Sequence, residues 1–158
     1  AIGPQGTHYA DRDFLWRISS AQVELDHSVF THLPDYHRFL TVLEGELELQ
    51  IGSGPKLPLP PLSLCQFDGG VPVESWGRCK DLNLMLRKGA CTGSMEVLRL
   101  PAGSSVLPPD WDILGLYCVQ GGTSWLRSGE LGLLQEPTPC RLAPAESSVF
   151  LAMKIRLL

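Results

Sequence analysis

No segment of this chain keeps apolar residues at a helical spacing for three turns, and that absence constrains the fold more than any other feature. Short apolar runs are instead cut by prolines and glycines along the whole length, thirteen and sixteen of them in 158 residues. The pattern predicts an all-β protein with only minor helix. Strands are expected over residues 15–23, 38–43, 47–51, 64–67, 82–87, 95–100, 113–119, 124–127, 131–134, 140–142 and 149–155. The stretches 52–61 (GSGPKLPLPP) and 101–109 (PAGSSVLPP) read as breaks between them.

An apolar content of 44% supplies one sizeable core or two small fused ones, and 19% charge is too low for disorder. The formal charge is −4, and Lys and Arg are scattered from Arg12 to Arg156 without a basic run, so no nucleic-acid partner is expected. No apolar stretch approaches the roughly 20 residues that span a bilayer, and residues 1–13 lack signal-peptide character. A cytoplasmic protein that does not engage membranes is the expectation. Five cysteines, Cys65, Cys79, Cys91, Cys118 and Cys140, include no Cys-x-x-Cys pair, which favours buried or half-buried free thiols.

A faint internal echo suggests two copies of one β-unit. Thr41-Val42-Leu43-Glu44-Gly45-Glu46 turns over a glycine, as does Tyr117-Cys118-Val119-Gln120-Gly121-Gly122, and each half closes on an apolar strand. The expected organisation is one β-unit over residues 1–94 and a second over 95–158, fused in one chain, with strands open to exchange between the halves. The apolar segment 149–155 (VFLAMKI) has only Lys154 as a charge, so it is expected as a central strand of the second unit. If it were at an edge, it would invite pairing with another copy, and a homodimer is a secondary expectation.

Several blocks fall in an order that points to one family: Phe14-Leu15-Trp16-Arg17-Ile18-Ser19-Ser20-Ala21-Gln22-Val23, Phe30-Thr31-His32-Leu33-Pro34-Asp35-Tyr36-His37-Arg38, Val42-Leu43-Glu44-Gly45, Phe67-Asp68-Gly69 and Asp81-Leu82-Asn83-Leu84-Met85. In these the chain resembles the HutD/Ves family of bacterial cupin-type proteins. The resemblance implies a double cupin (bicupin, RmlC-like) β-barrel and no established catalytic activity. It also implies a link to regulation of histidine utilisation, with a small acidic intermediate such as formylglutamate as the proposed ligand. Two departures stand out. The family's opening Trp-x-Asn-Gly-Gly-Gly segment is not reproduced in residues 1–13, and Pro34-Asp35-Tyr36-His37-Arg38 stands where relatives often carry Pro-Gly-Val/Ile-Asp-Arg.

Side chains alternate along a strand, so residues two apart share a face. Arg17, Ser19 and Ala21 therefore oppose Trp16, Ile18 and Ser20, and Arg38, Leu40 and Val42 oppose Phe39, Thr41 and Leu43. Leu82, Leu84 and Leu86 make an apolar face, with Asp81, Asn83, Met85 and Arg87 opposite. If the mixed faces line one cavity, Arg17, Arg38 and Asn83, with Ser19 and Met85 beside them, make a ligand site suited to a small carboxylate. The same residues admit a structural reading: faces in solvent, or arginines paired with Asp35, Glu44 or Asp81, with Asn83 as a buried structural amide.

No catalytic residue, metal or cofactor is expected. A metal cupin presents two histidines two residues apart, a glutamate and a further histidine, whereas the four histidines here all precede Phe39 and none are so spaced. The competing enzyme reading, an isomerase or metal-dependent oxygenase acting on a small acid, requires a metal on His27, His32, His37 and Glu44, or His37 as a general base near Arg38. Trp16, Trp76, Trp111 and Trp125 are expected in the core.

Overall fold

A computed structural model describes all of residues 1–158, and its regular secondary structure is strand apart from one 3-10 turn, Tyr9–Asp11. No helix is long and apolar enough to cross a membrane. The chain divides into two compact units, Ala1–Cys91 and Thr92–Leu158.

The first unit contains β1 (Ile2–Gly3), β2 (Trp16–Val23), β3 (His27–Val29), β4 (Tyr36–Gly45), β5 (Leu47–Ile51), β6 (Lys56–Leu59), β7 (Leu64–Asp68), β8 (Val73–Trp76) and β9 (Cys79–Arg87). They form a five-stranded sheet of order β1-β2-β9-β4-β7 and a four-stranded sheet of order β3-β8-β5-β6. Leu40, Val42, Phe67 and Cys79 from the first sheet pack with Leu47, Leu49, Leu59 and Val73 from the second, so the core lies between the two layers. Two glycines fix the frame. Gly45 turns β4 into β5 at φ +87°, a conformation that costs other residues a clash at Cβ. Gly69 exchanges backbone hydrogen bonds with Leu33 and Tyr36 at 2.8 Å each, and an added Cβ would collide with the Leu33 carbonyl.

The second unit contains β10 (Cys91–Leu100), β11 (Ser105–Leu107), β12 (Ile113–Gln120), β13 (Leu131–Leu134), β14 (Cys140–Leu142) and β15 (Ser148–Leu157). The sheets are β10-β15-β12-β13 and β11-β14, enclosing Trp111, Leu114, Leu116, Cys118, Leu126, Cys140, Leu142, Phe150 and Ala152. As the apolar pattern of 149–155 predicts, β15 is an interior strand, flanked by β10 and β12. It therefore offers no free edge to a second copy.

The all-β expectation holds, with local corrections. Four sheets are present, and neither unit is closed into a barrel by hydrogen bonding. After β6, Pro60 and Pro61 have no N–H to extend a ladder, and only an isolated bridge, Val42 with Pro61, links the layers there. The presumed breaks 52–61 and 101–109 contain β6 and β11; Pro58 is tolerated because β6 is an edge strand. Residues 124–127 are not a strand. Thr123 Oγ1 accepts the backbone N–H groups of Trp125 and Leu126, and this local turn wins over extension. Trp125 is accordingly exposed and Trp76 half-buried, while Trp16 and Trp111 are in the core.

Candidate functional site

Pairing of β2 to β9 and of β9 to β4 sets three cross-strand rows on one face: Arg17–Met85–Arg38, Ser19–Asn83–Leu40 and Ala21–Asp81–Val42. This is the face that bears Leu40 and Val42, so it looks into the space between the layers. At one end the apolar packing gives way to a solvent-open cavity of about 260 Å³. Arg17, Ser19, Arg38, Asn83 and Met85, the five residues singled out in the sequence, all line it. The two arginines flank Met85 from opposite sides, about 10 Å apart at their Cα atoms by normal strand spacing.

Arg38 is the centre of the site. It is 5% exposed, yet none of the ion pairs in the structure includes it or Arg17. Pairing with Asp35, Glu44 or Asp81, the structural alternative, is not what holds these arginines. The Arg38 Nε and Nη2 groups both donate to Asn83 Oδ1 at 3.4 Å, and Nη1 donates to the Thr31 carbonyl at 3.3 Å. These bonds are long for a guanidinium, which has five N–H donors. The Phe30 and Phe67 rings lie 5.0 and 5.3 Å from Cζ and shield the group from water. Burial, the largest influence, draws Arg38 below its ordinary value; Tyr9 and Asp81 oppose it, and the Arg17 charge adds to it. The group remains a cation at neutral pH. Asn83, 6% exposed, therefore uses its oxygen to hold Arg38 and leaves its amide N–H groups to the cavity.

Arg17 donates from Nη1 to Ser19 Oγ at 2.7 Å, and its guanidinium stacks on the Tyr9 ring at 4.3 Å, with Arg12 on the same ring at 4.0 Å. Burial works to raise the Tyr9 phenol, but contact with Arg12 and Thr31 and the charges of Arg12 and Arg17 outweigh it and bring it below its ordinary value. Asp81, 5% exposed, also lines the cavity and accepts the Ala21 N–H at 3.2 Å. Burial raises its pKa above the usual carboxylate range, against the Ala21 hydrogen bond and the Arg38 charge.

Tyr9, Phe30 and Thr31 come from irregular segments where alternation gives no signal, and sequence reasoning missed them. In the sequence Asp81 shares the mixed face with Asn83 and Met85 but reads only as a possible partner for an arginine, not as a site residue. The histidines take other places: His37 is exposed, on the face of β4 opposite Arg38, so it is no base for this cavity. His27 lies on β3 and contacts Glu74 at 2.9 Å. His32 is exposed, and no three His, Cys, Asp or Glu side chains gather as a metal-ligating group. The five thiols are free, and burial together with the Asp81 charge pushes Cys79 up to about 11. A larger depression of about 520 Å³, beside Leu47, Leu59 and Trp76, has only Glu46 and Glu48 as charged lining and offers an anion nothing.

Two layered β-units, with a cavity opening between the layers of the first, define a cupin-type protein. The HutD family model matches residues 1–153, and the chain belongs to that family. Among solved structures, it is similar to a conserved protein of unknown function from Pseudomonas aeruginosa (TM-score 0.81, 23% identity, 92% of this chain and 84% of that one). It is also similar to HutD from Pseudomonas fluorescens in a formate condition (TM-score 0.74, 18% identity, 98% and 85%). A cupin 2 conserved barrel domain protein from Leptotrichia buccalis shares the fold more distantly (TM-score 0.56, 10% identity, 90% and 89%). No curated protein matches the chain.

Proposed function

We propose that this chain is a non-catalytic, metal-free double cupin that binds a small carboxylate and regulates a catabolic pathway, histidine utilisation, in the cytoplasm. One observation carries the reading: Arg38 is a buried guanidinium that opens on a cavity and has no carboxylate partner in the chain. A buried charge without a partner is costly, and a carboxylate ligand supplies bidentate, charge-assisted hydrogen bonds that offset the cost. Arg17, Ser19 and the Asn83 amide stand ready as further donors, and Met85 supplies an adaptable apolar wall. Family membership supports the pathway.

Calorimetric titration with formylglutamate, urocanate, formate and histidine tests the reading. At least one acid should bind, and Arg38→Ala should weaken it by about 1.5 kcal/mol or more, the scale of a lost charged hydrogen bond. No heat from any acid at millimolar concentration would sink the proposal.

A further inference from the structure

The cavity holds a second buried charge that the arginines do not touch. Asp81 accepts one hydrogen bond, from Ala21, and no cation lies within ion-pairing distance of it. An ionised carboxylate offers about four acceptor positions, so most of its capacity is unused. The neighbouring acceptors are already engaged: Asn83 Oδ1 by Arg38 and Ser19 Oγ by Arg17. The charged and amide donors of the lining are Arg17, Arg38 and the Asn83 N–H groups. A bound acid thus meets guanidinium and amide N–H groups at one pole and an acceptor at the other.

We infer, building on the carboxylate reading above, that Asp81 sets specificity: the site takes small acids that carry an O–H or N–H donor near their carboxylate, and disfavours equally sized acids with an apolar group there. The donor gives Asp81 a charge-assisted hydrogen bond as water leaves the cavity. A methyl group in the same place seals in an unsatisfied carboxylate beside a second anion, which is costly on both counts. Burial already disfavours the ionised form of Asp81 in the empty site, and a neighbouring ligand charge acts in the same direction.

The matched probes are 3-hydroxybutyrate and 3-methylbutanoate, monoanions near pH 7 that differ by a hydroxyl in place of a methyl. Calorimetry on the unmodified chain should show the hydroxy acid binding about tenfold tighter, the worth of one hydrogen bond to a charged group. In Asp81→Asn the ratio should fall to about threefold or less, and 3-methylbutanoate itself should bind more tightly once the like charge is gone. Equal binding of the two acids, tighter binding of the methyl acid, or a ratio unchanged in Asp81→Asn would overturn the role of Asp81 and leave the carboxylate site standing. If neither probe binds while an acid of the earlier panel does, this ligand class is wrong; if nothing binds, the site reading falls and takes this inference with it. Should Asp81→Asn not fold, the ratio on the unmodified chain decides.

Discussion

In the first unit β9 turns Asp81, Asn83 and Met85 toward the core, opposite Leu40 and Val42; in the second, β15 turns Phe150 and Ala152 the same way, opposite Cys118 and Leu116. Both strands sit inside their sheets and both faces of each are largely buried, yet one interior is charged and the other is filled with hydrocarbon. The cations differ as well. Lys154 sits between two carboxylates, Glu96 and Asp110, at 3.3 Å each, whereas Arg38 is deeper and has none. A two-layer β-unit of this size therefore does not need a polar interior to fold. Packing alone does not call for the arrangement around Arg38, and the proposed binding role accounts for it.

The comparison breaks most visibly where hydrocarbon is removed. Phe150 is fully buried among Leu114, Leu116, Cys118 and Trp111, and Phe150→Ala should lower stability by about 3–5 kcal/mol through lost transfer energy and the cavity left behind. Urea denaturation measures it. A loss under about 1 kcal/mol would mean that the second interior is not a close-packed hydrocarbon core.

Exchanging the two cations for apolar residues sharpens the contrast. Arg38→Met removes a buried charge held only by long hydrogen bonds, and should leave stability unchanged or raise it by about 1–2 kcal/mol while weakening acid binding as Arg38→Ala does. Lys154→Met leaves Glu96 and Asp110 unpaired but half-exposed, so it should cost less than about 1 kcal/mol. Parallel urea melts compare them. A strongly destabilised Arg38→Met would show that the guanidinium is a structural member of the first unit.

Much of this contrast is legible in the sequence. Arg17, Ser19, Asn83 and Met85 lie in long strands with clean alternation, and the shared face follows from period two alone. Alternation does not say which strands are neighbours. The order β2-β9-β4 joins segments far apart in the chain, Arg17 with Met85 and Met85 with Arg38, and that pairing brings the two arginines to either side of Met85. The short strands β3, β8 and β11 have too few residues for a periodic signal, and β6 was hidden by its proline. Tyr9, Phe30 and Thr31 reach the cavity from a turn and a loop, where position depends on tertiary packing and no local rule points inward. The polar centre of the site was thus readable, and its aromatic cover was not.

The smallest expected effect concerns pH. Asp81 is raised in the folded chain above its unfolded value, so it binds its proton more readily when folded. Its protonated form contributes stability that is fully present below the unfolded value near 3.9 and is lost as pH rises through the folded value. Near neutrality the ionised carboxylate is a net cost, chiefly from burial. Asp81→Asn removes that charge and keeps an oxygen for the Ala21 N–H, so near pH 7 it should be more stable than the unmodified chain by roughly 1 kcal/mol or less. The gap should close as pH falls below about 4, where Asp81 is neutral in both states. Urea melts at several pH values between these limits read the gap directly. A variant less stable than its parent near pH 7, with the deficit growing as pH rises, would mean that ionised Asp81 neutralises Arg38 within the chain, and the first unit would then manage its charge as Lys154 and its two carboxylates do in the second.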